Sequence, residues 1–284
     1  MTHKPAALMR SLLERPWRLW TAQFLTIARI ELRKNFFTAR GFWVYLLAFA
    51  PVAVIGLHAL LGHRGRIGED TQILAGIFQF YYLRLAIFFG CMGIFTRLFR
   101  GEMIERSLHY YLLAPLRRPL LVLGKFVAGA ITATAFFGLA VFASFLLMYG
   151  NFGPAGIEFI FGAGSRHLTA YLGITVLACL AYGAVFLALS LIFKNPIVPG
   201  MVLMGWEAIN PVLPAMLQKL SIIFYLRHLA PVRVAADGIF ALLTVVTEPV
   251  PAWQAVAGVL LLTALVLTYA CFRVRRLEIS YTTD

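Results

Sequence analysis

Two charged residues interrupt long apolar stretches of this sequence, where a charge would be costly inside a membrane. Arg84 lies 13 residues before Arg97, and Glu207 lies 13 residues after Lys194. At the rise of a helix, both would sit about 20 Å from the same membrane face. Opposite charges at matching depth can pair, within one subunit or across a dimer. In the alternative, Arg84 extends to the outer headgroups and Glu207 sits protonated in a polar pocket.

A second group of candidate residues follows the second apolar stretch. Gly101 can end the preceding helix, and Glu102 and Glu105 then fall in the first turn of a new one, where carboxylates suit the positive helix end. Apolar residues at helical spacing give this short helix an apolar face: Met103, Ile104, Leu108, Tyr111 and Leu112. We expect a helix over about 102–113, ended by Pro115. In the simplest alternative it only closes a loop at the membrane surface.

Signatures of catalysis and metal binding are missing from the sequence. A phosphate-binding loop needs GxxxxGK[ST], but the Gly124-Lys125 pair is followed by Phe126 and has no glycine five positions earlier. His58 and His228 are isolated, with no paired-histidine spacing. We therefore predict no catalytic residue, no metal site and no cofactor in this chain.

Composition favours the membrane as the solvent of this chain. Hydrophobic residues make up 61% of the 284 residues and charged residues only 13%, whereas soluble domains are about 25% charged. The formal net charge is +13, and its positive residues lie in short segments between apolar runs. That pattern fits lipid headgroups and topology control, and it argues against nucleic acid as a partner.

About 20 apolar residues are needed to cross the hydrocarbon core as a helix, and six stretches qualify. The fifth contains Pro199, Pro211 and Pro214, which predicts a kinked or broken span. The outer segment 219–250 is expected to be re-entrant or interfacial. The fold class is thus an all-α polytopic membrane protein with spans at about 41–61, 73–96, 126–149, 168–193, 197–217 and 253–272.

Most basic residues precede the first span, fall between spans two and three, or follow span six. By the positive-inside rule these segments are cytoplasmic, so both termini lie inside. The domains are then a cytoplasmic N-terminal segment (1–40), the six-span domain (41–272) and a cytoplasmic tail (273–284). Within the first segment, tryptophans and arginines alternate with apolar residues. This predicts an amphipathic interfacial helix from about Trp17 to Phe37.

The loop between spans two and three resembles the first cytoplasmic loop of ABC-2-type transporter permeases. The resemblance rests on Glu102 and Glu105, a leucine-rich turn, a basic stretch and a Gly-Lys pair that opens span three. The turn is Leu112-Leu113-Ala114-Pro115, the basic pair is Arg117-Arg118, and the Gly-Lys pair is Gly124-Lys125. The approach to span one, residues 27–33, also looks like that family's N-terminal stretch.

This resemblance implies a function that the residues alone do not show. The helix at 102–113 would be a coupling helix docked on a separate ABC ATPase subunit, which binds ATP and Mg. The residues facing that ATPase would be Glu102, Glu105, Arg106 and His109. A second permease subunit would complete a homo- or heterodimeric exporter of an amphipathic, lipid-like or drug-like substrate in a prokaryotic inner membrane. The alternatives are a membrane-embedded enzyme or a gradient-driven transporter without an ATPase partner.

Overall fold

The computed structural model describes residues 16–36, 42–61, 66–105, 116–232 and 250–276, together with Ser107, Leu113 and Val234. This described part is α-helical and contains no β-strand, which confirms the prediction of an all-α protein. Its longer helices are α1 (Pro16–Phe36), α2 (Phe42–Leu60), α3 (Ile67–Ile104), α4 (Arg118–Gly150), α5 (Pro154–Phe161), α6 (Ala163–Ile192) and α7 (Ile197–Ile209). The chain continues through α8 (Ala215–Gln218), α9 (Ile222–His228) and α10 (Ala252–Arg275).

Five helices of the described residues are long and apolar enough to cross a membrane: α2, α3, α4, α6 and α10. The apolar windows of α3, α4 and α6 are 56–61% buried, whereas those of α2 and α10 are 22% buried. Helices α3, α4 and α6 therefore form the centre of the bundle. The chain is a multi-pass membrane protein with α2 and α10 at its periphery.

Small residues and aromatic rings let the central helices approach closely. A Cβ atom on Gly90 of α3 would collide with the Phe137 ring of α4, and one on Gly183 of α6 would collide with Phe95 of α3. The Phe88 ring packs edge-on against Phe186, with ring centroids 5.0 Å apart. In lipid, packing of this kind replaces the hydrophobic effect as the force that holds helices together.

The end of α3 differs from the sequence prediction. Gly101 was expected to end the second span, but its backbone is helical (φ −57°, ψ −46°) and the helix continues to Ile104. Glu102 consequently lies in the last turn of α3, not in the first turn of a new helix. Glu105 lies in the turn that follows. Half of the predicted 102–113 helix, including Arg106 and His109, falls outside the described residues.

The fifth predicted span is broken in the structure. Helix α7 has 13 residues and is about 20 Å long, too short for the hydrocarbon core. A 3-10 turn over Asn210–Val212 and the short helix α8 follow it before α9 begins. Asn210 Nδ2 donates to Gln218 O at 3.1 Å, and Gln218 Nε2 donates to Leu213 O at 2.8 Å. These side chains link the residues on either side of the break to each other.

Hydrogen bonds between helix ends show which ends share a side of the bundle. Asn151, just after α4, donates to the Ala59 carbonyl near the end of α2. At the other end of α4, Arg118 donates to the Arg275 carbonyl at the end of α10. Helices α2 and α4 therefore run parallel to each other, and α10 runs antiparallel to α4. Helix α1 packs along the first turns of α4, near the end of α10.

Candidate functional site

Four charged side chains form an alternating network where α1, α3 and α4 meet. Lys125 Nζ lies 2.6 Å from Glu31 Oε1 and 2.9 Å from Glu102 Oε2. Lys34 Nζ lies 3.0 Å from Glu102 Oε1 and 3.7 Å from Glu31 Oε1. The Lys125 side chain is fully buried, and both carboxylates are less than a tenth exposed, whereas Lys34 is 47% exposed. The network carries no net charge, which is what allows it to be buried.

The positions of the four charged residues on their helices explain how they meet. Glu31 and Lys34 lie one turn apart on α1 and so share a face. Glu102 sits at the carboxyl end of α3, where the helix dipole disfavours an anion, so it depends on the two lysines. Gly124 allows α1 to approach α4, because a Cβ atom there would lie 2.8 Å from Ile27 Cγ2. That approach brings Glu31 to the lysine that follows Gly124.

The network holds three helices in one arrangement and offers no chemistry of its own. Each buried pair balances a desolvation cost against its Coulomb attraction, so the intact network adds little stability over apolar residues of similar size. Removing a buried member such as Lys125 leaves an uncompensated buried charge and costs about 3–5 kcal/mol. A displacement of the Glu102 end of α3 must therefore move α1 and α4 with it, or break the network.

A cleft of about 330 Å³ opens beside this network, between α1, α2, α3 and α4. Its walls combine apolar side chains, among them Val44, Ile94 and Phe136, with the exposed Arg97 and every network residue except Lys125. Its volume is at the lower end of the range of about 300–1,000 Å³ that is typical of ligand sites. The cleft shows that the network lies at the edge of the helix bundle, next to solvent or lipid.

A second polar cluster lies inside the apolar part of the bundle, around Glu207. Its Oε2 accepts hydrogen bonds from Ser221 Oγ at 2.7 Å and from the Ile223 backbone N–H at 2.9 Å, and its Oε1 accepts one from the Ile222 N–H at 3.0 Å. The Tyr182 hydroxyl approaches Oε2 at 3.4 Å. Glu207 therefore caps the amino end of α9, where an anion is favoured by the helix dipole. This cap stabilises the interruption of the helix between α7 and α9.

Arg84 lies near this cluster without joining it directly. It belongs to a π-helical stretch of α3, Ile77–Ala86, and its guanidinium lies 5.5 Å from the centre of the Phe80 ring. Its charge acts at longer range on Tyr182 and Glu207. Among the described residues, no ion pair joins Arg84 to Glu207. The pairing proposed from sequence is thus not formed within this chain, and pairing across two subunits stays a prediction.

The four residues predicted for the helix at 102–113 do not share one environment. Glu105 is exposed, whereas Glu102 is 6% exposed and turned into the ion network. Glu102 is therefore not available as a surface contact, because Lys34 and Lys125 occupy its carboxylate. Arg106 and His109 lie outside the described residues. Sequence reasoning noted Lys125 as part of the Gly-Lys pair but gave it no role, and it gave none to Glu31 or Lys34.

No protein-family model matches the chain, and no curated protein matches it. Within the described ranges, no group of three or more His, Cys, Asp or Glu side chains could hold a metal ion. The five long apolar helices, in a described part that is entirely helical, define the class of this chain as a multi-pass, all-α membrane protein.

Proposed function

We propose that this chain is the membrane-spanning permease subunit of an ABC-2-type exporter, driven by ATP hydrolysis in a separate ATPase subunit. The observation that supports the proposal is the buried network of Glu31, Lys34, Glu102 and Lys125. It links α1 to α3 and α4, the two helices that flank the loop by which such a permease would contact its ATPase. Several residues behind the sequence resemblance, Glu31, Glu102, Gly124 and Lys125, meet at this one place.

On this proposal the chain crosses the membrane six times, and both termini are cytoplasmic. The fifth crossing is discontinuous: α7 enters from the cytoplasmic side, and α9 leads outward after the break. A hydrogen bond from Gln79 Nε2 to Val232 O, at 2.7 Å, supports this path, because Gln79 lies nearer than Arg84 to the outer end of α3. The end of α10 beside the start of α4 supports an even number of crossings. The membrane would be the inner membrane of a prokaryote.

The charge network gives this function a mechanical route. Closure of two ATPase subunits would push on the loop after α3, where Glu105, Arg106 and His109 are the contact candidates. Glu102 would pass the displacement to α1 and α4 through Lys34 and Lys125. Helix α3 would carry it to the Arg84 region in the middle of the bundle. The access of an amphipathic, lipid-like or drug-like substrate would then alternate between the two membrane faces.

Co-purification tests the proposal most simply. The chain is extracted in mild detergent from cells that express its native neighbours, and bound proteins are identified by mass spectrometry. We expect an ATPase with a phosphate-binding loop, and we expect Glu105→Lys to weaken its retention. Glu69→Lys, a matched change at the other end of α3, should leave retention unchanged.

The outcome also decides between this proposal and its alternatives. If no ATPase is bound in detergent or in lipid nanodiscs, the chain is better described as a gradient-driven transporter or a membrane-embedded enzyme. If both charge reversals release the ATPase equally, the contact at the end of α3 is wrong even though the partner is right.

A further inference from the structure

The cleft between α1, α2, α3 and α4 has a charged end and an apolar end. Along α3, the lining residues Glu102 and Glu105 lie in the last turn and just after it, and Arg97 lies about two turns earlier. Gly93 and Ile94 lie about one further turn into the bundle. Because α3 is long and apolar enough to cross a membrane, the charged end lies at a membrane face and the apolar end lies in the hydrocarbon.

The lining residues of the other three helices are divided in the same way. Glu31 and Lys34 of α1 line the charged end, where the ion network lies. Phe136, about five turns into α4, and Val44 of α2 line the apolar end. Val44 lies level with Gly93, because a Cβ atom on that glycine would be 3.7 Å from Val44 Cγ2. The walls therefore have the polarity of a lipid in the adjoining leaflet, with their charges toward the membrane surface.

The charges of the lining indicate the kind of headgroup. Both signs are present: the cations are Lys34 and Arg97, and the anions are Glu31, Glu102 and Glu105. A headgroup with a single charge would face like charges as well as opposite ones. A zwitterion can exchange with the ion pairs of the wall, its phosphate beside a cation and its ammonium beside a carboxylate, without leaving a buried charge unpaired. Such an exchange is possible even where every lining charge already has a partner within the chain.

We propose that this cleft binds one amphiphile with a zwitterionic headgroup, of the phospholipid class, from the leaflet at this end of α3. The headgroup would lie between Arg97 and Glu105, and the start of an acyl chain would lie against Ile94 and Phe136. The rest of the lipid would remain in the bilayer, because a cleft of about 330 Å³ is at the lower end of ligand-site volumes. That this amphiphile is also the class of molecule exported rests on the proposed function, whereas its binding does not.

Diffuse attraction between lipid and a chain of formal net charge +13 is the competing explanation, and two matched variants separate it from a defined cleft. Gly93→Leu fills the apolar end without changing a charge, and its first carbon fits at an ordinary contact distance from Val44. Gly173→Leu makes the same change on α6, where a Cβ atom would meet nothing within 4 Å. Diffuse attraction predicts equal binding by both variants. A defined cleft predicts that Gly93→Leu alone weakens binding, by roughly 5- to 150-fold.

The test is a native mass-spectrometry titration of the delipidated full-length chain with four dioleoyl lipids. Phosphatidylethanolamine and phosphatidylcholine are zwitterionic, phosphatidylglycerol is anionic, and trimethylammonium-propane is cationic. Binding to the cleft is the part that Gly93→Leu loses and Gly173→Leu keeps. We expect this part to be largest for the two zwitterionic lipids, even if phosphatidylglycerol binds more copies elsewhere on the chain. A larger part for the anionic or the cationic lipid, or no loss in Gly93→Leu, would overturn the proposal.

Two further arms complete the test. Soluble phosphoethanolamine at millimolar concentration should not displace the lipid, and full displacement would show that a free headgroup, not a membrane amphiphile, is the ligand. If Gly93→Leu cannot be purified, Glu105→Gln at an exposed position decides the question. Because it removes one anion from the lining, it should shift the preference toward phosphatidylglycerol by about fivefold. Glu69→Gln, exposed at the other end of α3, should not. Equal preferences in these two variants would overturn the proposal.

Discussion

Replacing Lys125 with methionine isolates the energetic role of the buried ion network. The substitution keeps the size and apolar stem of the side chain and removes only the cation. Of the two lysines of the network, Glu31 and Glu102 would then keep Lys34, which is 47% exposed and therefore screened by solvent. A buried carboxylate that loses its partner costs about 3–5 kcal/mol. We expect the apparent melting temperature of Lys125→Met in nanodiscs to fall by roughly 6–20 °C.

Two comparisons make this prediction specific to the network. Lys34→Met removes the half-exposed cation and should cost much less, about 1 kcal/mol or below. Lys125→Met combined with Glu31→Gln restores charge neutrality and should regain part of the stability lost in the single variant. If the two lysine substitutions had equal and small effects, the prediction would be wrong, since Lys125 would then be solvated in the membrane-embedded protein.

Three further predictions follow from the helix contacts. Gly124→Val should clash with Ile27 and expose α1 to limited proteolysis, whereas Gly150→Val, with nothing within 4 Å of its Cβ position, should not. Glu207→Ala should destabilise the chain by about 2–4 kcal/mol in thermal unfolding, because two buried N–H groups lose their acceptor, and Glu207→Gln should cost less because one acceptor oxygen remains. Exchanging the charges, Arg84→Glu with Glu207→Arg, should fail to rescue the single variants in a stability or transport assay, because arginine cannot accept the hydrogen bonds of the α9 cap. Rescue would instead support an ion pair across two subunits.

Long apolar stretches made most of the fold predictable from the sequence. The composition and the length of the runs determine α2, α3, α4, α6 and α10, because only helices satisfy their own backbone hydrogen bonds in lipid. The prolines near 211 and 214 indicated the break after α7. The boundaries were less predictable: α4 begins at Arg118, eight residues before the first residue expected in the membrane. Hydropathy identifies the part of a helix that lies in the hydrocarbon core. It does not identify the polar turns by which the helix extends beyond that core.

The charge network was not predictable, because it depends on contacts between distant parts of the chain. Glu31 and Lys125 are 94 residues apart in sequence, and nothing in their local pattern distinguishes them from surface charges. The predicted end of α3 at Gly101 was wrong, because glycine adopts the helical conformation when the surrounding contacts favour it. The role of Glu207 could not be predicted for the same reason, because it too depends on contacts made only in the folded chain. A carboxylate 15 residues before α9 becomes its cap only once the chain has folded back.

In the proposed function, ATP hydrolysis in a partner subunit drives this chain through the network at the end of α3. The direct measurement is ATP hydrolysis by the chain and its co-purified partner in nanodiscs, with Lys125→Met and Lys34→Met as the matched pair. We predict vanadate-sensitive hydrolysis with the unmodified chain, a lower rate of hydrolysis with Lys125→Met, and a smaller reduction with Lys34→Met. No bound partner and no hydrolysis with the unmodified chain, in detergent and in nanodiscs alike, would contradict it.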